Sequence, residues 1–90
     1  METAILNYRI IIEKEQQKKG YVYVAHVPSL GISDFGKTVD QASSNVKKAI
    51  QLYIESLIEL KKLIPAPDSE DYFVTSKKIE VHLPAGSFAY

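Results

Sequence analysis

The middle of the chain places its apolar residues three and four positions apart, which is the period of an α-helix with one buried face. The apolar positions of this stripe are Ala42, Val46, Ala49, Ile50, Tyr53, Ile54, Leu57, Leu60 and Ile64. Charged and polar residues such as Asp40, Lys48 and Glu55 fall on the opposite side of the same helix. Because a single helix cannot bury its own apolar stripe, the pattern predicts that a sheet lies against it.

The ends of this helix carry their own signals. Thr38 suits the N-cap, and Gln41 stands three residues later, where it can reach back in a capping box. Pro65 and Pro67 prevent continuation of the helix, since proline lacks an amide donor and clashes with the preceding turn. We therefore predict a helix from Val39 to about Leu63.

The first strand is predicted from Ile5 to Glu13, where isoleucines cluster around Tyr8. Alternate residues of a strand face opposite sides, so Tyr8, Ile10 and Ile12 share one face. The other face then carries Asn7, Arg9, Ile11 and Glu13. The polar segment from Lys14 to Gly20 is predicted as the hairpin loop that leads to the second strand.

The second strand is predicted from Tyr21 to Val27 and ends at Pro28, and a short third strand follows from Ile32 to Phe35. One helix covers one face of the sheet, so the other face stays uncovered. The register decides which side chains of the second strand that face presents. The two alternatives are Tyr21, Tyr23 and Ala25, or Val22, Val24 and His26.

After the helix, Ile79 to Leu83 alternates apolar and polar residues and is predicted as a final strand stopped by Pro84. Tyr72 to Val74 either adds a short strand or packs as a loop. The fold class predicted is α+β: a three- to four-stranded, mainly antiparallel sheet with one long helix on one face, in the order β-β-β-α-β. We expect a single domain over residues 1–90, with a core in residues 5–67 and the final strand at about 79–83.

Composition narrows the function classes. Eleven basic and eleven acidic residues give a formal net charge of zero, so the chain lacks the basic field that nonspecific nucleic-acid binding needs. It has no cysteine, which excludes disulfides and thiol nucleophiles and fits a reducing compartment. No signal-peptide pattern and no apolar run of membrane-spanning length occur. These features predict a soluble cytoplasmic domain.

Catalytic patterns are absent from the sequence. Metal-dependent nuclease chemistry needs carboxylates that converge on divalent ions, but Glu13 stands at the end of the first predicted strand. Glu55 and Glu59 lie four residues apart on the polar side of the helix, as in a solvated helix face. We therefore predict no enzyme activity, no catalytic residue, no metal site and no cofactor.

The histidines and serines lead to the same prediction. His26 and His82 are expected at ordinary, half-exposed strand positions, because neither has a carboxylate spaced for a metal pair. No GxSxG elbow occurs, and we expect no serine to have a histidine near it. The serines concerned are Ser29, Ser33, Ser43, Ser44 and Ser56.

An ordered set of short motifs resembles the HicB-like antitoxins. The segment Gly20 to Leu30 resembles the family string GGYxVAxVPxL, and Gly31 to Thr38 is similar to GCxSxGxT. Val39 to Ala42 resembles the helix start xEEA, and Ala49 to Leu57 resembles AIELYLESL. Ile64 to Pro67 resembles the IPxP that ends the helix. The resemblance covers roughly residues 5–67.

This resemblance implies a reduced relative of the ribonuclease-H-like fold and a role in binding and silencing a small ribonuclease toxin, HicA. Two departures stand out. The family usually has Leu-Pro-Gly-Cys, where this chain has Leu30-Gly31-Ile32. Many family members also carry a DNA-binding domain, but only about twenty residues follow Pro67 and they lack a helix-turn-helix pattern. We therefore expect no separate DNA-binding domain, no direct nucleic-acid contact and no membrane association.

The function predicted is steric masking of a HicA-like toxin. The partner-binding residues proposed for it are Tyr23, Asp34, Phe35, Asp68, Glu70 and Asp71. The acidic residues would steer a basic toxin, while Tyr23 and Phe35 would supply buried area. Phe35 has a second interpretation, as a plug in the core beneath the helix start. Leu52 and Ile58, which fall outside the stripe, are either single exposed hydrophobes or contact points.

We also expect a homodimer or higher homo-oligomer, because a small antiparallel sheet leaves edges and one face unpaired. Ile79 to Leu83 is the segment most suited to supply or cap an edge. Two other functions stay open at this point: a solitary regulatory or ligand-sensing domain without a toxin partner, and, third, a metal-dependent nuclease.

Overall fold

The computed structural model describes residues 3–86 and shows three strands followed by one helix. The three strands are β1 (Ile11–Gln17), β2 (Gly20–Val27) and β3 (Ile32–Gly36). The helix is α1 (Val39–Glu59). The sheet order is β1-β2-β3, and both strand pairs are antiparallel. The helix packs on one face of this sheet, which confirms the predicted α+β class.

β1 begins later and ends later than predicted. Its register pairs Ile11 with His26 and Gln17 with Gly20, so only Lys18 and Lys19 form the turn. The polar residues expected in a loop therefore pair as a strand, while residues 3–10 lie outside it. The reason is that ladder hydrogen bonds join backbones and do not require apolar side chains. The positive φ that closes the turn falls on Gly20, where a glycine tolerates it.

The core lies between the helix and one face of the sheet. Its buried residues are Tyr8, Ala25, Val27, Ala42 and Val46. Ile10, Ile12 and Tyr23 are half-buried against them. The predicted grouping of Tyr8, Ile10 and Ile12 on one face is therefore confirmed. The register also settles the uncovered face of β2: Tyr23 and Ala25 lie on the helix side, and Val22, Val24 and His26 lie on the other.

Close packing between β3 and the first turn of α1 requires the glycine at position 36. A Cβ atom on Gly36 would lie 2.5 Å from the backbone nitrogen of Ala42 and 2.8 Å from the backbone carbon of Gln41. Those backbone atoms cannot move independently of the helix. Gly36 therefore allows α1 to begin directly against the end of β3.

Both helix ends are capped. The Thr38 hydroxyl accepts a hydrogen bond from the Gln41 amide at 3.0 Å, as predicted, and the Gln41 side-chain oxygen accepts from the Lys37 amide. At the other end the helix stops at Glu59, earlier than predicted. The Lys62 amide donates to the Leu57 carbonyl and the Lys61 amide to the Ile58 carbonyl, which is the Schellman pattern. Lys61 adopts the left-handed backbone conformation, with φ of 56°, and this position is most often a glycine.

The segment after the helix first returns to the sheet and then leaves it. The Asp68 amide donates to the Asn7 carbonyl at 2.8 Å, and the Tyr8 hydroxyl donates to the Pro65 carbonyl at 2.6 Å. Residues 79–83 do not form the predicted final strand, and residues 72–74 are exposed without strand pairing. An alternating pattern predicts a strand only where a partner backbone is within reach, and none reaches this segment in the described part of the chain.

Within residues 3–86, no helix combines the length and apolar character needed to cross a bilayer.

Candidate partner-binding face

The helix leaves one side of the sheet uncovered. We call this surface the open face; its residues are Ile11, Glu13, Glu15, Val22, Val24, His26, Ser33 and Phe35. These residues share one side because strand side chains alternate and the register aligns them across the three strands. Two shallow hollows of about 270 and 480 Å³ lie on this side and meet at Val24.

One row of the open face combines apolar and acidic side chains. Val24 stands opposite Glu13 on β1 and opposite Phe35 on β3. The Phe35 side chain is 61% exposed, which excludes the alternative that it plugs the core. Glu15 lies on the same side of β1, beyond Glu13. No lysine or arginine belongs to the open face, so its residues form an apolar stripe beside an acidic edge.

His26 and Ser33 form a pair that the sequence spacing did not indicate. The register places them opposite each other on β2 and β3, and His26 Nδ1 lies 2.9 Å from Ser33 Oγ. The prediction that no serine has a histidine nearby is therefore wrong for Ser33. Both side chains are exposed on the sheet surface. A nucleophile needs a site that orients substrate and excludes water, which this flat exposed position does not supply.

The outer edge of β3 is blocked by side chains. The Asp34 carboxylate accepts a hydrogen bond from the Phe35 amide at 2.8 Å. The Asn45 side-chain amide, from the helix, donates to the Phe35 carbonyl, also at 2.8 Å. Both backbone groups of Phe35 are thereby satisfied locally. This arrangement protects an edge strand against pairing with another chain.

The predicted partner-binding residues do not lie on one surface. Phe35 belongs to the open face, whereas Asp34 stands opposite Ala25 on the helix side of β3. Tyr23 is half-buried on the helix side and packs edge-to-face on Tyr21, with ring centroids 5.7 Å apart. Glu70 and Asp71 are exposed in the segment after the helix, just beyond Asp68. The sequence pattern does not single out Glu13 and Glu15: Glu13 follows Ile11 by two residues on the same predicted face, whereas Glu15 falls in the segment predicted as a loop.

Asp68 joins three parts of the chain. Its carboxylate accepts hydrogen bonds from the Arg9 amide, at 2.6 Å, and from the Ser29 hydroxyl. The bond from the Arg9 amide, and then that from Ser29, hold the pKa of this carboxyl below its usual range. Burial, together with the nearby Asp68 charge, raises the pKa of the Tyr8 hydroxyl. We call these contacts the Asp68 clasp; they fasten the segment after the helix to the start of the sheet.

The described residues contain no cluster of side chains suited to bind a metal ion. No group of three or more histidine, aspartate and glutamate side chains in residues 3–86 could hold a metal ion together. Glu55 stays on the helix surface, where its carboxylate accepts a hydrogen bond from Gln51. Leu52 is 66% exposed on that outer surface, well away from the core.

Comparison with known proteins places this architecture in a family. The family model that matches residues 8–83 describes the HicB-like antitoxin of bacterial toxin–antitoxin systems. UPF0150 protein Ta0767 of Thermoplasma acidophilum is 41% identical over 70 residues, which are 77% of this chain and 97% of that protein. UPF0150 protein ssr1765 of Synechocystis is 40% identical over 65 residues, 71% of this chain and 78% of that protein. No solved structure matches the chain. The match over most of the chain confirms the resemblance seen in the motifs: this chain belongs to the HicB-like antitoxin family.

Proposed function

We propose that this chain is an antitoxin that binds a small basic ribonuclease toxin of the HicA type and neutralises it by steric masking. The observation that carries the proposal is the open face, an uncovered sheet surface with an apolar stripe, an acidic edge and no lysine or arginine. Membership of an antitoxin family implies a toxin partner of some kind. The open face supplies a surface suited to a basic one.

Three properties of the open face favour protein binding. Phe35 offers a large, exposed aromatic side chain, the residue class that anchors many interfaces. Val22 and Val24 extend the apolar area beside it. Glu13 and Glu15 would attract a basic partner and speed its encounter, an effect that falls with added salt. The face would then cover the RNA-binding surface of the toxin together with its catalytic histidine.

The acidic residues outside the open face have different parts in this proposal. Asp34, Glu70 and Asp71 would add to the negative field that steers the toxin. The Asp68 carboxylate is already occupied by its two hydrogen bonds, and Tyr23 is packed against the core, so their contribution would be to hold the binding surface in shape.

The direct test is co-expression with a small basic HicA-type toxin, sought in the genes beside this chain, followed by measurement of binding and of RNA cleavage by that toxin. Phe35→Ala and Glu13→Lys should each weaken the complex by about tenfold or more. Matched controls on the helix surface are Leu52→Ala and Glu59→Lys, which remove the same kinds of side chain from the other side of the molecule. Both controls should bind like the wild type.

Two results would overturn this assignment. If only the helix controls weaken the complex, the toxin binds elsewhere on the chain. If no complex forms and cleavage is unaffected, the chain is better explained as a solitary regulatory or ligand-sensing domain.

The proposal also requires that the chain performs no chemistry itself. Glu13 lies on the open face and Asp34 on the helix side, so these carboxylates do not converge. Purified chain should therefore leave RNA intact with magnesium or manganese. RNA cleavage that is lost in Glu13→Gln or Asp34→Asn would instead establish a metal-dependent nuclease.

A further inference from the structure

Among the residues of the open face, only His26 can carry a positive charge. It lies on the middle strand, between Ile11 of β1 and Ser33 of β3. We propose that His26 makes toxin binding depend on pH: the complex forms when His26 is neutral and weakens when His26 is protonated. This proposal rests on the proposed function and adds to it a condition under which the toxin is released.

The acidic groups that share the open face with His26 both lie on β1. Glu13 follows Ile11 by two residues, so it lies diagonally across the strand pair from His26, at about 7–8 Å between Cα atoms. Glu13, Glu15 and His26 line the same hollow of about 480 Å³. The Asp68 carboxylate is held by its hydrogen bonds in the clasp, outside the open face. A partner that covers His26 would therefore cover both glutamates as well.

Two cationic side chains near β1 are held away from His26. Lys14 borders the hollow, but its ammonium lies 3.9 Å from the centroid of the Tyr21 ring, on the helix side of the sheet. Arg9 precedes β1, and its guanidinium lies 3.5 Å from the centroid of the Tyr72 ring. Lysine and arginine keep their charge between about pH 5 and 8. The open face therefore gains positive charge over that range only at His26.

Protonation of His26 would act against a basic partner in two ways. Histidine ordinarily changes charge between about pH 5 and 8, whereas carboxylates stay ionised there. A proton on His26 would leave the open face with one net negative charge instead of two, which weakens its attraction for the toxin. It would also place a positive charge beside basic groups of the toxin, and like charges across an interface oppose binding. A complex that forms at neutral pH should therefore weaken in acid.

Ser33 can hold the His26 ring in both charge states. His26 Nδ1 lies 2.9 Å from Ser33 Oγ. The serine hydroxyl can donate to a neutral ring nitrogen, or rotate and accept a hydrogen bond from a protonated one. The ring can therefore keep its position on protonation, and the open face changes in charge alone. The expected effect is on toxin binding, with the stability of the unbound chain unchanged.

The test compares the dissociation constant for a small basic HicA-type toxin at about pH 7.5 and about pH 5.5. The wild type should bind about tenfold more weakly at the lower pH. His26→Gln keeps a polar side chain without the charge and should lose most of this difference. His26→Lys carries a permanent charge and should bind weakly at both pH values. The matched control is His82→Gln, at the only other histidine of the chain, and it should behave as the wild type.

Proton release provides a second readout that a merely structural role of His26 would not produce. If protonation opposes binding, then binding must favour loss of that proton, because the two effects are linked. Calorimetry at about pH 6.5, in buffers of different ionisation enthalpy, measures the protons released on binding. The wild type and His82→Gln should release more than His26→Gln. The release that remains in His26→Gln comes from other groups, including those of the toxin.

The outcomes separate this proposal from the function on which it rests. If no complex forms at neutral pH, the proposed function fails, and the pH dependence fails with it. If the complex forms but its dissociation constant does not change with pH, only the role of His26 is overturned. The same holds if His26→Gln keeps the pH dependence and the proton release of the wild type.

Discussion

The two faces of the sheet carry similar apolar residues but differ in how deeply these side chains are buried. On the helix side, Ala25 and Val27 are fully buried beneath Ala42 and Val46. On the open face, Val24 of the same strand is half-buried and Phe35 is mostly exposed. Burial on the first side stabilises the fold. Exposure on the second gives no such benefit, which is why that face is available to a partner.

The close contact between Gly36 and α1 gives the largest expected effect on the helix side. Gly36→Ala should lower the free energy of unfolding by about 3 kcal/mol, because its Cβ would overlap the backbone at Ala42 and Gln41. Chemical denaturation measures this change. Gly31→Asn is the control, since asparagine tolerates the left-handed conformation that Gly31 adopts. A stable Gly36→Ala variant would mean that the helix start is not held against β3.

The same substitution on opposite faces of β2 tests the comparison directly. Val27→Ala should lower the free energy of unfolding by about 2 kcal/mol, because it leaves a cavity in the core. Val24→Ala should cost about 0.5 kcal/mol or less, since solvent already reaches this side chain. Denaturant titration of both variants measures the difference. Equal losses would show that the open face is covered in the protein in solution.

Lys61 offers a way to stabilise the helix without touching the open face. Lys61→Gly should raise the free energy of unfolding by about 0.5–1 kcal/mol, because glycine adopts the left-handed conformation without a Cβ penalty. Lys62→Gly, at the next position, should not stabilise the chain. Thermal denaturation measures both changes. Toxin binding by Lys61→Gly should match the wild type, and a weakened complex would link the helix end to the interface.

The smallest effect concerns the Asp68 clasp and depends on pH. Because the pKa of Asp68 is lowered in the folded state, the unfolded state binds this proton more tightly. The stabilisation is therefore present above the unfolded-state pKa of about 4 and is lost as pH falls through the lowered value. Asp68→Asn should melt below the wild type at neutral pH, and the two should converge in acid.

Asp71→Asn is the control for this experiment, since it removes an exposed carboxylate three residues away that has no part in the clasp. Melting temperatures measured between neutral and strongly acidic pH test the prediction. A gap between wild type and Asp68→Asn that stays constant with pH would show that the Asp68 charge does not hold the clasp.

Local patterns determined much of this protein. The three- and four-residue spacing located α1, Thr38 and Gln41 marked its start, and β-branched and aromatic residues located β2. Each of these signals depends on only a few neighbouring residues, so it can be recognised from the sequence. The ordered motifs from Gly20 to Pro67 likewise carry the family resemblance in the sequence alone.

Tertiary structure decided what depends on contacts between distant residues. The strand register places β1 later in the chain than its apolar residues predicted. It also puts Val22, Val24 and His26 on the open face and aligns His26 with Ser33. The Asp68 clasp joins residues about sixty positions apart, and nothing in the local pattern marks Asp68 as different from Glu70 or Asp71. Hydrophobic periodicity reports which side chains avoid water. It does not report which backbones pair, because ladder hydrogen bonds form equally well between polar residues such as Gln16 and apolar ones such as Val24.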